Sequence, residues 1–214
     1  MAQRPEAAPP PDAAARPVGR PPTGARERIL AAGLEVLKRD GYAGLTTAKV
    51  AARSGENKAL ISYHFGSKDG LVKAVGREVG HAITHEVVQD LGRPEEVEEL
   101  VRGVLAGLWR VMDRDESLAR LYFDLAAVSV VEPEVRAVMQ EIKAGFRSVL
   151  GELMSGTDDG PARRGAEAAV VYVIAGIEGL ALERLDRDET PALREAMEMF
   201  VRSAAAELSR PGAA

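Results

Sequence analysis

The chain lacks cysteine altogether, which excludes disulfide bonds, thiolate catalysis and thiolate metal sites. Aromatic residues make up only 4% of its 214 residues, and runs of Val and Ile are short, so β-strands have little support. No apolar stretch approaches the roughly 20 residues that cross a bilayer, and the N-terminus has no apolar signal-peptide core. These absences predict a cytoplasmic, helical protein with no membrane partner.

Sequence motifs of enzymes are missing too. There is no Gly-rich phosphate-binding loop, no zinc motif and no Gly-x-Ser-x-Gly elbow. His81 and His85 lie four residues apart, a spacing that can place two imidazoles on one metal ion. No third ligand is evident nearby, so an exposed pair is the preferred interpretation. We therefore expect no enzymatic activity, no metal site and no cofactor.

The net charge of −5 conceals an uneven distribution along the chain. Residues 1–80 carry 13 Lys and Arg against 8 Asp and Glu, a net charge of +5, whereas residues 81–214 have a net charge of −10. A basic third of this kind can face phosphate while the acidic remainder faces water. Accidental asymmetry is the alternative, and composition alone leaves both open.

Residues 44–71 are the most informative segment, with the sequence GLTTAKVAARSGENKALISYHFGSKDGL. Thr46, or the threonine after it, can cap a short helix, and Gly55 suits a left-handed turn. Asn57 can cap a second helix, and Ser67 a third. Two short helices around a glycine-containing turn indicate a helix-turn-helix, whose second helix enters the DNA major groove.

Helical stripes and breaks elsewhere predict an all-α fold of about nine helices. The first is predicted to run from a Thr23 cap to Asp40, where Gly41 ends it. Glycine, proline and capping residues mark off the later helices. These are expected over about residues 67–91, 94–114, 116–131, 133 to near 151 or 156, 161–186 and 190–209.

Three regions follow from this layout. Residues 1–22 hold seven of the twelve prolines and no hydrophobic period, so they are predicted to be a disordered Pro/Ala-rich tail. The arginines near its end could form a minor-groove arm, although a solvated tail is preferred. Residues 23–72 are predicted to form the helix-turn-helix domain and residues 73–210 a C-terminal helical domain.

The segment TTAKVAARSGENKALISYHF, residues 46–65, followed by GSKDGL, resembles the N-terminal pattern of the TetR family of transcriptional regulators. The resemblance covers about residues 23–72. Residues 173–185, VIAGIEGLALERL, are similar to the BetI-type C-terminal domain. One position departs from the family pattern: Glu56 stands where a small hydrophobic residue is usual. We expect Glu56 to turn outward at the start of the second helix, where the helix dipole favours a carboxylate.

The resemblance assigns roles within the helix-turn-helix. Lys58 is expected to donate to guanine, and Ala59 and Leu60 are expected to contact thymine methyl groups. Phosphate contacts are expected from hydroxyl, imidazole and ammonium donors, with core packing of Leu60 or His64 and simple capping by Thr47 as alternatives. The spacing of Ile61 and Phe65 predicts that both point inward. The predicted DNA-binding residues are Thr46, Thr47, Lys58, Ala59, Leu60, Ser62, Tyr63, His64 and Lys68.

The resemblance also implies that the C-terminal domain binds a small molecule. The candidate residues are apolar or aromatic with one polar anchor, and for each of them ordinary core packing is the alternative. They are Trp109, Met112, Tyr122, Phe123, Met139, Phe146, Tyr172, Ile177 and Glu178.

Small side chains on the eighth helix and an apolar stripe on the ninth suggest close packing across a two-fold axis, with packing inside one chain as the alternative. The candidate dimer residues are Ala168, Ala175, Gly176, Gly179, Leu193, Met197, Phe200 and Ala204. The function expected from these features is a homodimeric repressor, released from a palindromic DNA operator by a small-molecule effector. The alternative is a regulator of the same fold that answers to a protein partner or to nothing.

Overall fold

A computed structural model of the chain describes residues 24–89, 91–92, 94–154, 166–186 and 189–209. Within these residues the secondary structure is entirely helical, which confirms the all-α prediction. The predicted tail, residues 1–22, and the predicted Thr23 cap lie outside the described residues. The described residues form nine helices: α1 Ala25–Gly44, α2 Thr47–Ser54, α3 Lys58–Phe65, α4 Lys68–Val88, α5 Val97–Arg114, α6 Glu116–Val128, α7 Pro133–Met154, α8 Ala166–Asp186 and α9 Pro191–Leu208.

Four of the predicted helix caps are present. The side chains of Thr46, Asn57, Ser67 and Thr190 each accept a hydrogen bond from the backbone N–H three residues later, at 3.2, 2.9, 3.1 and 3.1 Å. Each bond satisfies an N–H group that has no partner inside its own helix. Gly55 has a φ of 73°, a left-handed conformation that ends α2 and that glycine adopts most readily. Local sequence chemistry therefore fixes the helix-turn-helix.

Some helix ends differ from the prediction. Gly41 interrupts α1 with a φ of 66°, but helical structure resumes and continues to Gly44. The end of α6 comes at Val128 rather than near residue 131. There the Arg136 side chain donates to the carbonyls of Ser129 and Val130, at 3.1 and 2.7 Å, so these groups need no helical partner.

Two apolar clusters join into one core. The first packs α1 against α2, α3, α4, α6 and α7, with Ile29, Val50 and Ile61 almost fully buried. The second gathers side chains of α5, α7, α8 and α9. Val104 and Leu108 of α5 pack against both clusters. The helix-turn-helix is therefore continuous in packing with the rest of the described protein.

Helix α4 connects the helix-turn-helix to the C-terminal helices. It crosses the predicted domain boundary after residue 72. The position of that boundary stays a prediction. Gly76 and Gly80 allow α7 to approach closely, because a Cβ atom at these positions would lie 2.3 Å from Val138 Cγ1 and 3.1 Å from Ile142 Cγ2. Among the described residues, no helix is both long enough and apolar enough to cross a membrane.

Candidate nucleic-acid interface and ligand cavity

Helix α3 is held by one face and exposes the other. Ile61 is only 1% exposed, and Phe65 is partly buried beneath the guanidinium of Arg26, which lies 5.6 Å from the ring centroid. Both residues point inward as their spacing predicts. Lys58, Ala59, Ser62 and Tyr63 are exposed, and Tyr63 keeps 67% of its surface open. This exposed face carries donors and methyl groups of the kind that meet base edges and phosphates.

Leu60 differs from its neighbours on α3. Its side chain is partly buried and packs against the first apolar cluster. The core-packing alternative therefore describes most of this side chain. A thymine contact by Leu60 remains a prediction for its exposed part alone.

Lys58 is distinguished by its charge environment. The two basic residues of α2 are neutralised from α1: Lys49 Nζ lies 2.8 Å from Asp40 Oδ2, and Arg53 pairs with Glu35. The guanidinium of Arg39, with Lys49, holds the pKa of the Asp40 carboxyl well below its usual range. No ion pair involves Lys58 in the described part of the chain. Its ammonium is therefore open to an anionic partner.

The remaining candidate phosphate donors differ in how accessible their N–H groups are. Lys68 Nζ lies 4.5 Å from the centroid of the Tyr42 ring, a cation–π contact that leaves its N–H groups available. The Tyr63 and His64 rings meet edge to face at 5.1 Å. His64 Nε2 is buried and has no hydrogen-bond partner among the described residues. The predicted phosphate contact of His64 then depends on Nδ1 or on rotation of the ring.

The prediction for Glu56 is wrong. Its carboxylate does not turn outward and lies before the start of α3. Instead Glu56 Oε1 accepts hydrogen bonds from Nε and Nη2 of Arg28, at 2.9 and 2.6 Å, and the side chain is only 11% exposed. A charge-assisted pair with α1 is stronger than the attraction of a nearby helix dipole. Glu56 therefore ties the turn of the helix-turn-helix to α1.

A second site lies among α4, α5, α6, α7 and α8, where an apolar cavity of about 110 Å³ opens in the core. Five of the residues predicted from the sequence line it: Tyr122, Phe123, Phe146, Ile177 and Glu178. The other lining residues are Ile83, Thr84, Val87, Val88, Val104, Leu108, Val111, Ala119, Val149, Leu150, Leu153, Ile174 and Ala181. Most of these are aliphatic, and nothing in the sequence separates them from ordinary core residues.

Four predicted pocket residues lie elsewhere. Trp109, Met112 and Met139 are buried in the apolar clusters away from the cavity. The Trp109 ring is covered by the guanidinium of Arg184, 5.1 Å from its centroid. Tyr172 is on the surface, 42% exposed. Helical spacing shows that such residues share a face, but it does not show where packing leaves a gap.

Glu178 forms the polar end of the cavity. The Tyr122 hydroxyl donates to Glu178 Oε1, and Lys143 Nζ donates to Glu178 Oε2 at 2.8 Å. Burial raises the pKa of the Tyr122 phenol, and the Glu178 carboxylate raises it further. Tyr122 therefore remains a neutral donor, and Glu178 is held from both sides.

The predicted dimer residues divide into two groups. Leu193 and Ala204 are buried within the single chain, and a Cβ atom on Gly176 would lie 2.2 Å from Phe200 Cε2. Met197 and Phe200 are partly buried against the second cluster. For these five, packing inside one chain is the observed role, because α8 and α9 pack on each other.

Ala168, Ala175 and Gly179 are exposed on α8. Val171, Tyr172 and Leu182 lie between and beyond them at helical spacing and are 48, 42 and 52% exposed. On α9, Met199 is 58% exposed, one turn before Ser203, whose hydroxyl lies 3.0 Å from that of Tyr172. We call these exposed residues the α8–α9 face: Ala168, Val171, Tyr172, Ala175, Gly179, Leu182 and Met199.

His81 and His85 are both exposed on α4. Within the described ranges, no three His, Cys, Asp or Glu residues come together as metal ligands.

The fold and the two sites define a helical protein with a helix-turn-helix at its N-terminal end and a cavity in its C-terminal helices. Residues 29–75 match the family model described as bacterial regulatory proteins, tetR family. Residues 29–75 are therefore similar to the N-terminal part of TetR-family regulators. The family match covers the N-terminal part alone, so the BetI-type character of the C-terminal domain stays a prediction.

Known transcriptional regulators are similar to this chain as well. The chain is 25% identical over 119 residues to the HTH-type transcriptional regulator BetI 1 of Chromohalobacter salexigens, and it spans only 57% of the length of that curated relative. A protein from Streptomyces coelicolor A3(2) has the same fold, with a TM-score of 0.70, 23% identity, and coverage of 85% of this chain and 98% of that one. The multidrug binding protein EbrR, complexed with imidazole, gives a TM-score of 0.66 at 24% identity, covering 89 and 93% of the two chains.

Proposed function

We propose that the protein is a homodimeric, DNA-binding transcriptional repressor that leaves a palindromic operator when a small molecule fills the cavity. The ammonium of Lys58 has no ion-pair partner among the described residues, and it lies on the exposed face of a helix whose other face is buried. This observation supports the proposal most directly. A base-reading helix needs such donors, because protein partners within the chain would otherwise compete with DNA.

Dimerisation is proposed through the α8–α9 face. Small residues at helical spacing let two helices approach closely, and the larger apolar side chains gain by leaving water. One short recognition helix reads only a few base pairs. Two copies related by a two-fold axis would read a palindrome, with half-sites about one helical turn apart or somewhat more.

The proposed effector would act through helices that serve both sites. Helix α4 contributes Ile83 and Val87 to the cavity wall, and its first turn carries Lys68 beside α3. Helix α6 contributes Tyr122 and Phe123 to the wall, and Asp124 Oδ2 accepts a hydrogen bond at 3.1 Å from the backbone N–H of Tyr42 in α1. A ligand that fits one arrangement of α4 and α6 better than another would shift DNA affinity.

The cavity favours a small-molecule effector over the alternative of a regulator that needs none, for which a closed core would be expected. EbrR, which shares the fold, was solved as a complex with imidazole and is described as a multidrug binding protein. We extend small-molecule binding, but no particular ligand, to this chain.

A gel shift on the intergenic DNA beside the gene, at two salt concentrations and with a non-specific competitor, tests the DNA-binding proposal. We expect a discrete complex that resists the competitor. Lys58→Ala should weaken it by about 1–3 kcal/mol and relax the preference at one base position. Arg120→Ala is the control, because it removes an exposed positive charge on α6 that is paired with Glu116 and lies outside the helix-turn-helix. Equal losses in both variants, or unchanged sequence preference in Lys58→Ala, would refute the base-contact role.

A further inference from the structure

We propose that the cavity selects small, uncharged, apolar molecules and rejects organic cations, even though a carboxylate stands at its end. The inference depends on the proposed function, since it names the class of effector. The observation behind it is that each polar side chain of the wall already forms a hydrogen bond within the protein.

The wall of the cavity offers almost no polar contact. Apart from Glu178, its described lining residues carry no charge, and Thr84 and Tyr122 are its only other polar side chains. The Thr84 hydroxyl donates to the Gly80 carbonyl at 2.8 Å, so its proton is already committed. A charged ligand would lose its hydration on entry and recover little from these walls.

The one carboxylate is neutralised from within the protein. Lys143 supplies an ammonium to one oxygen of Glu178, and Tyr122 supplies a hydroxyl to the other. An entering cation would have to displace Lys143 and leave that ammonium without its partner. Removing one member of a partly buried pair is unfavourable, because the other charge is left uncompensated.

Aromatic rings of the wall act in the opposite direction. Tyr122, Phe123 and Phe146 lie together, with ring centroids 5.3 and 6.0 Å from that of Tyr122, and such rings attract cations. Their edge-to-face and tilted arrangement directs them toward each other. We take this attraction to be weaker than the loss of hydration, so the cavity still prefers a neutral ligand.

The preference for neutral ligands depends on Lys143, which reaches Glu178 from the solvent-exposed edge of the cavity. Its side chain is 35% exposed and that of Glu178 is 24% exposed, so the pair sits where the cavity approaches solvent. Removing the ammonium while keeping an unbranched side chain, as in Lys143→Met, leaves a carboxylate facing the cavity. A single substitution should therefore change the class of ligand that binds.

Two molecules of the same shape test this preference. tert-Butylbenzene and phenyltrimethylammonium differ in one central atom, a carbon or a positively charged nitrogen. Binding of each to the purified full chain would be measured by calorimetry at pH 8, without DNA. We expect the wild type to prefer the neutral compound by on the order of 100-fold.

The variants separate charge from shape. Lys143→Met should reduce that preference at least about tenfold, and Lys143→Met combined with Glu178→Gln should restore it. Equal or tighter binding of the cation by the wild type overturns the proposal. So does a preference that does not respond to Lys143→Met, or binding of neither compound. Operator binding is measured separately and without ligand, so failure here would leave the DNA-binding proposal to its own test.

Discussion

At the scale of single residues, the charged side chains of the helix-turn-helix fall into two groups. Some form ion pairs that stabilise the fold, and others are open to an external partner. Asp40, Glu35 and Glu56 each take a basic residue of this region into a pair. Lys58 and Lys68 have no such carboxylate among the described residues. Several basic residues of the described helix-turn-helix are therefore held in ion pairs, and the ammonium groups of Lys58 and Lys68 are open to DNA.

Lys68→Ala should weaken binding to all DNA sequences alike, because a phosphate contact positions the protein without reading bases. We expect the slope of log affinity against log salt concentration to fall by about one. Anisotropy titrations of specific and non-specific duplexes at several salt concentrations would measure this. A selective loss on the operator, with the slope unchanged, would show that Lys68 has a different role.

The Arg28–Glu56 pair should stabilise the fold. Glu56→Gln should lower the free energy of unfolding by about 1 kcal/mol, because Glu56 is mostly buried while Arg28 is half exposed. A double-mutant cycle with Arg28→Met, followed by urea unfolding, isolates the coupling between the two side chains. A coupling energy near zero would mean that the contact contributes nothing.

At the scale of helices, contacts within one helix can be predicted from sequence patterns, but close approach between two helices cannot. Caps were predictable because they depend on residues three positions apart, as at Thr46 and Asn57. The cavity was not, because an aliphatic residue such as Val87 has the same helical spacing whether it meets a neighbour or a gap. Glu56 was mispredicted because its partner is 28 residues away.

Gly107 and Gly145 offer a matched pair for testing helix approach. A Cβ atom at Gly107 would lie 2.5 Å from the backbone oxygen of Val87, whereas at Gly145 it would meet nothing within 4 Å. Gly107→Ala should therefore cost about 1–3 kcal/mol by forcing α5 from α4. Gly145→Ala should stabilise the protein by up to about 1 kcal/mol, through helix propensity. Thermal unfolding would measure the change in stability of both variants. Equal changes would contradict the packing described for α4 and α5.

At the scale of the complete molecule, reading a palindromic operator requires two copies of the chain. The sequence indicates the small residues of α8 as candidates for close packing, but it does not single out their larger neighbours Val171 and Leu182, since apolar residues on a helix usually belong to its core. Exposure of these side chains in one chain gives the α8–α9 face its proposed role.

Leu182→Glu should convert the dimer to monomers, because it places a charge in the proposed interface. Val130→Glu is the control, since Val130 is 71% exposed in the turn after α6, outside the α8–α9 face. Sedimentation velocity would distinguish the two variants. A dimer that survives Leu182→Glu but not Val130→Glu would move the interface to the α6–α7 turn.

The most direct test of a dimeric, DNA-reading protein is a footprint on the DNA beside its gene. We expect two protected half-sites related by a two-fold axis, with centres about 34–36 Å apart or somewhat more, and loss of protection with Lys58→Ala. Protection of a single asymmetric site, or a footprint that Lys58→Ala leaves intact, would contradict the proposal that a dimer reads DNA through Lys58.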